Sequence, residues 1–260
     1  MLHPRIIPCL LVRNRGLVKT FGFGDSKYVG DPINAVKIFN EKEVDELVVL
    51  DIDATAEKRE PDYKMIENLA AECRMPLCYG GGVKTAEQAS RIFALGVEKV
   101  SLSSAAIESP GLVSEISAQA GAQSVVVTLD VKKKGLFGKF SVYTHNAKKS
   151  TGKDPVELAI EMQKAGAGEI VLNSIDNDGA MKGYDLKLID RVRAEITIPM
   201  TVIGGAGSLK HISELIKEHP FIGAAAGSLF VFKGKYKAVL INYPNRQEKI
   251  DLISASISQP

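Results

Sequence analysis

Five carboxylates sit at the ends of short apolar runs or just beyond them. Asp51 and Asp53 close Val-Val-Leu-Asp-Ile-Asp, Asp130 closes Val-Val-Val-Thr-Leu-Asp, and Asp176 and Asp178 fall within Ser-Ile-Asp-Asn-Asp-Gly. A carboxyl group that ends an apolar strand is a candidate proton carrier, because desolvation raises its pKa toward neutral pH. Asp130 fits that description best, although a capping role or a salt bridge to a nearby lysine competes with it. Asp176 and Asp178 lie among turn-forming residues and could serve only the turn. Two glycine clusters, Gly80-Gly81-Gly82 and Gly204-Gly205-Ala206-Gly207, suit anion binding, since tight turns there bring backbone N–H groups to a phosphate. Each is followed at the same sequence distance by a hydroxyl-bearing segment, Ser103-Ser104 and Gly227-Ser228, able to open a short helix toward the same place. One such cluster could merely make turns. The matched pair points to a ligand with a phosphate at each end, or one with a diphosphate and a second anionic group.

The elements that must position these groups follow from the pattern of apolar residues. Continuous apolar runs rich in β-branched residues recur at 6–12, 46–52, 76–79, 99–102, 124–130, 169–174, 200–204 and 223–226. Such runs mark strands buried on both faces, as in a parallel sheet. Between them lie helix starts: Asp31-Pro32, Thr85 with Gln88 three residues on, Asp154-Pro155 and Ser208. Eight strand–helix alternations in 260 residues predict a closed (β/α)₈ TIM barrel, with a doubly wound open sheet as the rival. The duplicated glycine–serine pattern favours closure and divides the chain into half-barrels near 1–122 and 123–240, with a tail at 241–260. Phosphate sites in barrels form after strands 7 and 8, where Gly205, Gly207, Gly227 and Ser228 fall, and the repeat places Gly81, Gly82, Ser103 and Ser104 across the mouth.

Composition narrows the function. The only dense basic run, Lys132-Lys133-Lys134 with Lys139, reads as a solvated loop, so a nucleic-acid partner is not expected. Cys9, Cys73 and Cys78 are odd in number and lack CxxC spacing, and His3, His145, His211 and His219 have no ligand spacing. No metal or cofactor is expected. No run approaches the ~18 apolar residues of a membrane span, and the N-terminus carries no signal-peptide pattern. A cytoplasmic protein is expected.

Arg5-Ile6-Ile7-Pro8-Cys9-Leu10, Gly30-Asp31-Pro32, Asp45-Glu46-Leu47, Gly80-Gly81-Gly82, Gly168-Glu169-Ile170, Asp176-Asn177-Asp178-Gly179 and Gly204-Gly205-Ala206-Gly207 together resemble HisF, the cyclase subunit of imidazole glycerol phosphate synthase. The resemblance runs from the N-terminus to about Phe230. It implies a two-fold-repeated barrel that receives ammonia from a glutaminase docked on its N-terminal face and adds it to a substrate with two phosphates. It assigns phosphate binding to Gly82, Ser103 and Ser104 in one half and to Asp178, Gly179, Gly205, Gly227 and Ser228 in the other. Arg5, Glu46, Lys99 and Glu169, each at the start of a strand, match the family's charged ring that gates ammonia. Two acids and two bases at one end would also form a salt-bridged ring on charge grounds, and the ring could simply stabilise the floor. Lys19 matches a further family position.

The departures lie at the reacting end. The family's cyclase uses a pair of aspartates ending strands 1 and 5; here the strand 1 position is Leu11, which cannot transfer a proton. Ser103 stands for the usual asparagine and Ile203 for the usual serine. These features, and the ending from Lys233 to Pro244, resemble a HisF-like branch that converts a sugar's acetamido group to an acetamidino group for bacterial surface polysaccharide. An alternative is a histidine-pathway cyclase that recruits another carboxylate, Asp51 or Asp176. A third is a scaffold that activates its glutaminase and conducts ammonia.

Overall fold

The structure is a computed structural model in which residues 3–135 and 138–257 are described. The apolar runs become eight strands: β1 (Arg5–Arg13), β2 (Leu47–Asp51), β3 (Leu77–Gly80), β4 (Lys99–Leu102), β5 (Val125–Lys134), β6 (Glu169–Ser174), β7 (Met200–Ile203) and β8 (Gly223–Ala226). Each strand pairs in parallel with the next. Strand β8 then pairs with β1, from Arg5↔Gly223 to Pro8↔Ala226, so the sheet closes on itself. Closure removes the open-sheet rival.

Alternation explains why the runs look apolar throughout. Ile6, Leu10, Leu47, Val49, Leu77 and Tyr79 point outward into the core beneath the helices. Ile7, Cys9, Val48, Cys78, Val126, Val171 and Ala225 point inward and fill the barrel. Both faces are buried, so no polar alternation survives. The interior is tight at β8, where a Cβ on Gly223 would stand 1.9 Å from Thr201 Oγ1.

Around the sheet lie α1 (Pro32–Glu41), α2 (Tyr63–Glu72), α3 (Ala86–Ala94), α4 (Gly111–Ala120), α5 (Pro155–Lys164), α6 (Leu186–Arg193) and α7 (Leu209–Glu218). The side chains of Asp31, Thr85, Asp154 and Ser208 accept from backbone N–H groups of the first turns, as the sequence predicts. Asp62 and Asp185 cap α2 and α6 in the same way. Among the described residues, no helix is long and apolar enough to cross a membrane.

Three features depart from the sequence reading. Strand β1 continues into a hairpin with Gly16–Thr20, which pairs in turn with Ser26–Gly30. Strand β5 runs past Asp130 to Lys134 and pairs with Lys139–Thr144, so the 132–153 segment is a hairpin. Leu136 and Phe137 at its tip lie outside the described residues. The tail forms α8 (Arg246–Ile257), which packs on α7. Tyr243, just before it, donates its hydroxyl to the Ile6 carbonyl.

Candidate functional site

The C-terminal strand ends and the loops after them enclose one cavity. Its lining gathers Lys19, Asp51, Gly81, Gly82, Ser103, Ser104, Asp130, Asp178, Gly179, Gly205, Gly227 and Ser228, along with Leu11. Register brings them together: strands of similar length, closed in parallel, bring all their C-terminal ends to one rim.

Asp130 ends the apolar part of β5 and is walled by protein except where it meets the cavity. Burial pushes its carboxyl up to about 7. The Asn173 side-chain N–H, at 2.8 Å, opposes that rise, while the charge of Asp178 adds to it. The Ser103 hydroxyl lies near enough to favour the carboxylate, without completing a well-angled bond. A group with its pKa near 7 is suited to take and return a proton at neutral pH. Leu11 faces the same cavity and offers no second proton carrier.

The glycine clusters adopt backbone that side chains resist. Gly81 has φ +117, and a Cβ there would lie 2.3 Å from the Asp51 carbonyl; Gly205 has φ +113, and its Cβ would lie 2.0 Å from the Gly183 carbonyl. Beside each cluster is a buried hydroxyl with no hydrogen-bond partner, Ser103 Oγ in one half and Ser228 Oγ in the other. A buried polar group left unbonded costs roughly 1–3 kcal/mol, so two matched cases at one cavity make these the candidate ligand positions. Lys19 is buried beneath the second cradle. Its Nζ donates to Asp178 Oδ1 at 2.7 Å and to the Thr20 carbonyl at 2.9 Å, and Thr20 Oγ1 donates to Asp178 Oδ2 at 2.8 Å.

Three sequence candidates are placed differently from the rest. Asp51 lines the cavity, but Arg59 binds both its oxygens, at 3.2 and 3.3 Å, and the Asp53 and Ala54 amides also donate to it. It organises the loop after β2. Asp176 is exposed outside the cavity and accepts from the Lys133 amide at 2.9 Å. Gly207 also lies outside the lining; its amide donates to His211 Nδ1, and its missing side chain makes room for the Met181 carbonyl.

The structure also brings in residues that the sequence reading missed. Arg13 lines the cavity and forms a two-point salt bridge with Asp53, at 2.6 and 3.0 Å. Asn173 stands opposite Asp130 in the β5–β6 register, which its place at the end of an apolar run could have suggested. His145 and Asn146 reach the cavity from the turn after Lys139–Thr144. Nothing in their immediate sequence signals that reach, because a hairpin carries them there.

At the opposite end, β1, β4 and β6 begin with Arg5, Lys99 and Glu169, and Glu46 immediately precedes β2. Arg5 binds Glu46, and it binds Glu169 at 2.6 Å. Lys99 Nζ binds Glu46 at 2.9 Å and Glu169 at 3.0 Å. Thr201 Oγ1 donates to Glu169 at 2.6 Å. Burial alone would raise Glu169, but Arg5 and Lys99 outweigh it and hold the carboxyl below its usual range. The ring is closed, and every charge in it is paired.

A closed barrel that gathers two glycine–serine segments, a near-neutral carboxyl and a buried lysine at its C-terminal mouth belongs to the class of (β/α)₈ barrels. Residues 5–237 match the family model described as histidine biosynthesis protein, and the chain belongs to that family, in its HisF group. A Vibrio vulnificus protein provisionally named imidazole glycerol phosphate synthase subunit hisF3 is 59% identical over 96% of each chain. A Leptospira interrogans protein, likewise provisionally named as subunit HisF, is 57% identical over 96% of this chain and 98% of its own. The imidazole glycerol phosphate synthase subunit HisF of Lactococcus lactis is 42% identical over 88% of this chain and 89% of its own.

Proposed function

We propose that this chain is the ammonia-using synthase subunit of a two-component glutamine amidotransferase, carrying out a HisF-type lyase–cyclase reaction on a small substrate with two anionic groups. The observation that carries the reading is the meeting of Asp130 and two unfilled hydroxyl–glycine cradles in one cavity. Gly81, Gly82, Ser103 and Ser104 hold one phosphate; Gly179, Gly205, Gly227 and Ser228 hold the other. Lys19, fixed by Asp178, supplies positive charge beside the second. Asp130 takes a proton from the reacting nitrogen or carbon and returns it to the leaving group. Ammonia comes from a glutaminase of the HisH kind on the N-terminal face and enters past Arg5, Glu46, Lys99 and Glu169. The names of the relatives support the subunit role. The test is turnover of the phosphorylated histidine-pathway intermediate with ammonium chloride, read as imidazole product. Turnover that Asp130→Asn leaves unchanged would remove Asp130 from the mechanism.

One observation favours a second reading. Leu11 faces the cavity where the resemblance expects a carboxylate, so a reaction needing a single proton carrier also fits. Conversion of a sugar's acetamido group to an amidine, after activation of the amide by a separate ATP-using enzyme, is such a reaction. The same assay separates the two: imidazole formation at an ordinary rate refutes the sugar reading, and its absence with intact ligand binding refutes the cyclase.

A further inference from the structure

The ionisable side chains of the cavity are nearly all committed. Lys19 and Asp178 bind each other, Asp51 binds Arg59, and Arg13 binds Asp53. Burial pushes the Cys9 thiol up to about 12. Among the described lining residues, that leaves Asp130 and His145 as ionisable groups outside any ion pair.

We propose that His145 is the titratable cation of the first cradle, holding a phosphate against Ser103 and Ser104 in its imidazolium form. The inference rests on reading Gly82, Ser103 and Ser104 as a phosphate site, and it names a cation for that site that no carboxylate already holds. The second cradle has Lys19, whose Cε would lie 3.2 Å from a Cβ placed on Gly227. The two arginines near the first cradle, Arg13 and Arg59, are held by aspartates.

Three observations place His145 for the role. Its backbone N–H donates to Ser104 Oγ at 3.3 Å, which ties the turn to the cradle. The neighbouring Ser103 Oγ is buried without a partner. His145, Asn146 and Ala147 take φ of +53, +55 and +60, a run of left-handed backbone that non-glycine residues avoid unless the surroundings impose it. Asn146 anchors that run by donating to Asp53 Oδ1 at 3.4 Å.

His145 Nδ1 pairs with Thr144 Oγ1 at 3.1 Å, which leaves Nε2 as the ring nitrogen to meet a ligand. Protonation turns Nε2 into a charged donor. The charged groups on the elements around this turn are Asp130 on β5, the Arg13–Asp53 and Arg59–Asp51 pairs, and Glu108 bound to Lys149 at 3.1 Å. All but Asp130 are paired, so the His145 imidazolium is the positive charge around this turn left to meet a dianion.

The test uses the full chain labelled with ¹⁵N, titrated from pH 5 to 9 with and without sulfate, a dianion throughout that range. His145→Gln assigns the imidazole signal, and the titration is repeated in Asp130→Asn to remove the other titrating group. Sulfate is expected to move the Gly82 and Ser104 amide signals and to raise the His145 pKa by about one unit, which equals about tenfold tighter binding to the imidazolium form. His145→Gln should bind sulfate at pH 6 about tenfold more weakly than the native chain. Shifted amides with an unmoved imidazole pKa overturn this proposal alone. Unmoved amides overturn the phosphate site itself and the proposal with it.

Discussion

The two ends of this barrel carry similar polar chemistry in opposite states. At the floor, Arg5, Lys99, Glu46 and Glu169 satisfy one another in a closed ring, and Glu169 is held in its charged form. At the mouth, Ser103 and Ser228 have no partners, Asp130 is pushed up to about 7, and Leu11 stands where the family resemblance expects a second carboxylate. A satisfied polar network holds structure; an unsatisfied one waits for a ligand. The difference separates a floor whose charges are mutually satisfied from a mouth whose polar groups are open to a ligand.

Asp130→Asn should separate the two ends most sharply. Turnover should fall by about 10²–10⁴-fold, the usual contribution of a positioned proton carrier, without loss of the fold. The same variant carries a pH signature. Burial raises the folded pKa of Asp130, so the stability tied to its protonated form is full below the ordinary aspartate range and is lost as pH rises through about 7. Calorimetry should therefore show Asp130→Asn gaining on the native chain from pH 5 to pH 8. Glu169 has the opposite sign: its folded pKa is lowered, so its contribution is present above the ordinary glutamate range and fades as pH falls through the lower value.

Leu11→Asp probes the gap directly. Under the cyclase reading, a second carboxylate should raise imidazole formation by up to about 10²-fold and push Asp130 higher still by like charge. An unchanged rate in a folded variant would favour the amidine reading. At the floor, Glu169→Ala leaves Arg5 and Lys99 short of a partner, and urea unfolding should show a loss of about 3–5 kcal/mol with sulfate binding at the mouth intact. The smallest effect is expected from Ser228→Ala. Removing an unpartnered hydroxyl should leave stability within about 1 kcal/mol of native, or raise it, yet weaken sulfate binding in a calorimetric titration. A marked loss of stability instead would mean that the hydroxyl serves the fold.

Much of the architecture was legible in the chain. The strands were visible because burial on both faces forces continuous apolar runs, and the helix starts because Asp31, Thr85, Asp154 and Ser208 are cap residues. The cradles were legible because their glycines and serines are local in sequence. The hairpin after β1 and the helix α8 were missed, and the sequence leaves the 132–153 segment open between a lid and a hairpin. The turn at 14–15 uses the left-handed non-glycine residues Asn14 and Arg15, so the usual glycine signal is weak there, and α8 lacks a strong apolar stripe.

The sequence by itself determined the eightfold alternation, the matched glycine–serine segments and the absence of a proton carrier at Leu11, because each depends on residue type at a short spacing. Only the tertiary structure decided which groups remain free. Asp51 is neutralised by Arg59, Asp176 is turned out to solvent, Gly207 is spent on close packing, and His145 is delivered to the cavity by a hairpin. Pairing and desolvation are set by distances across the barrel, and those distances exist only once the sheet has closed.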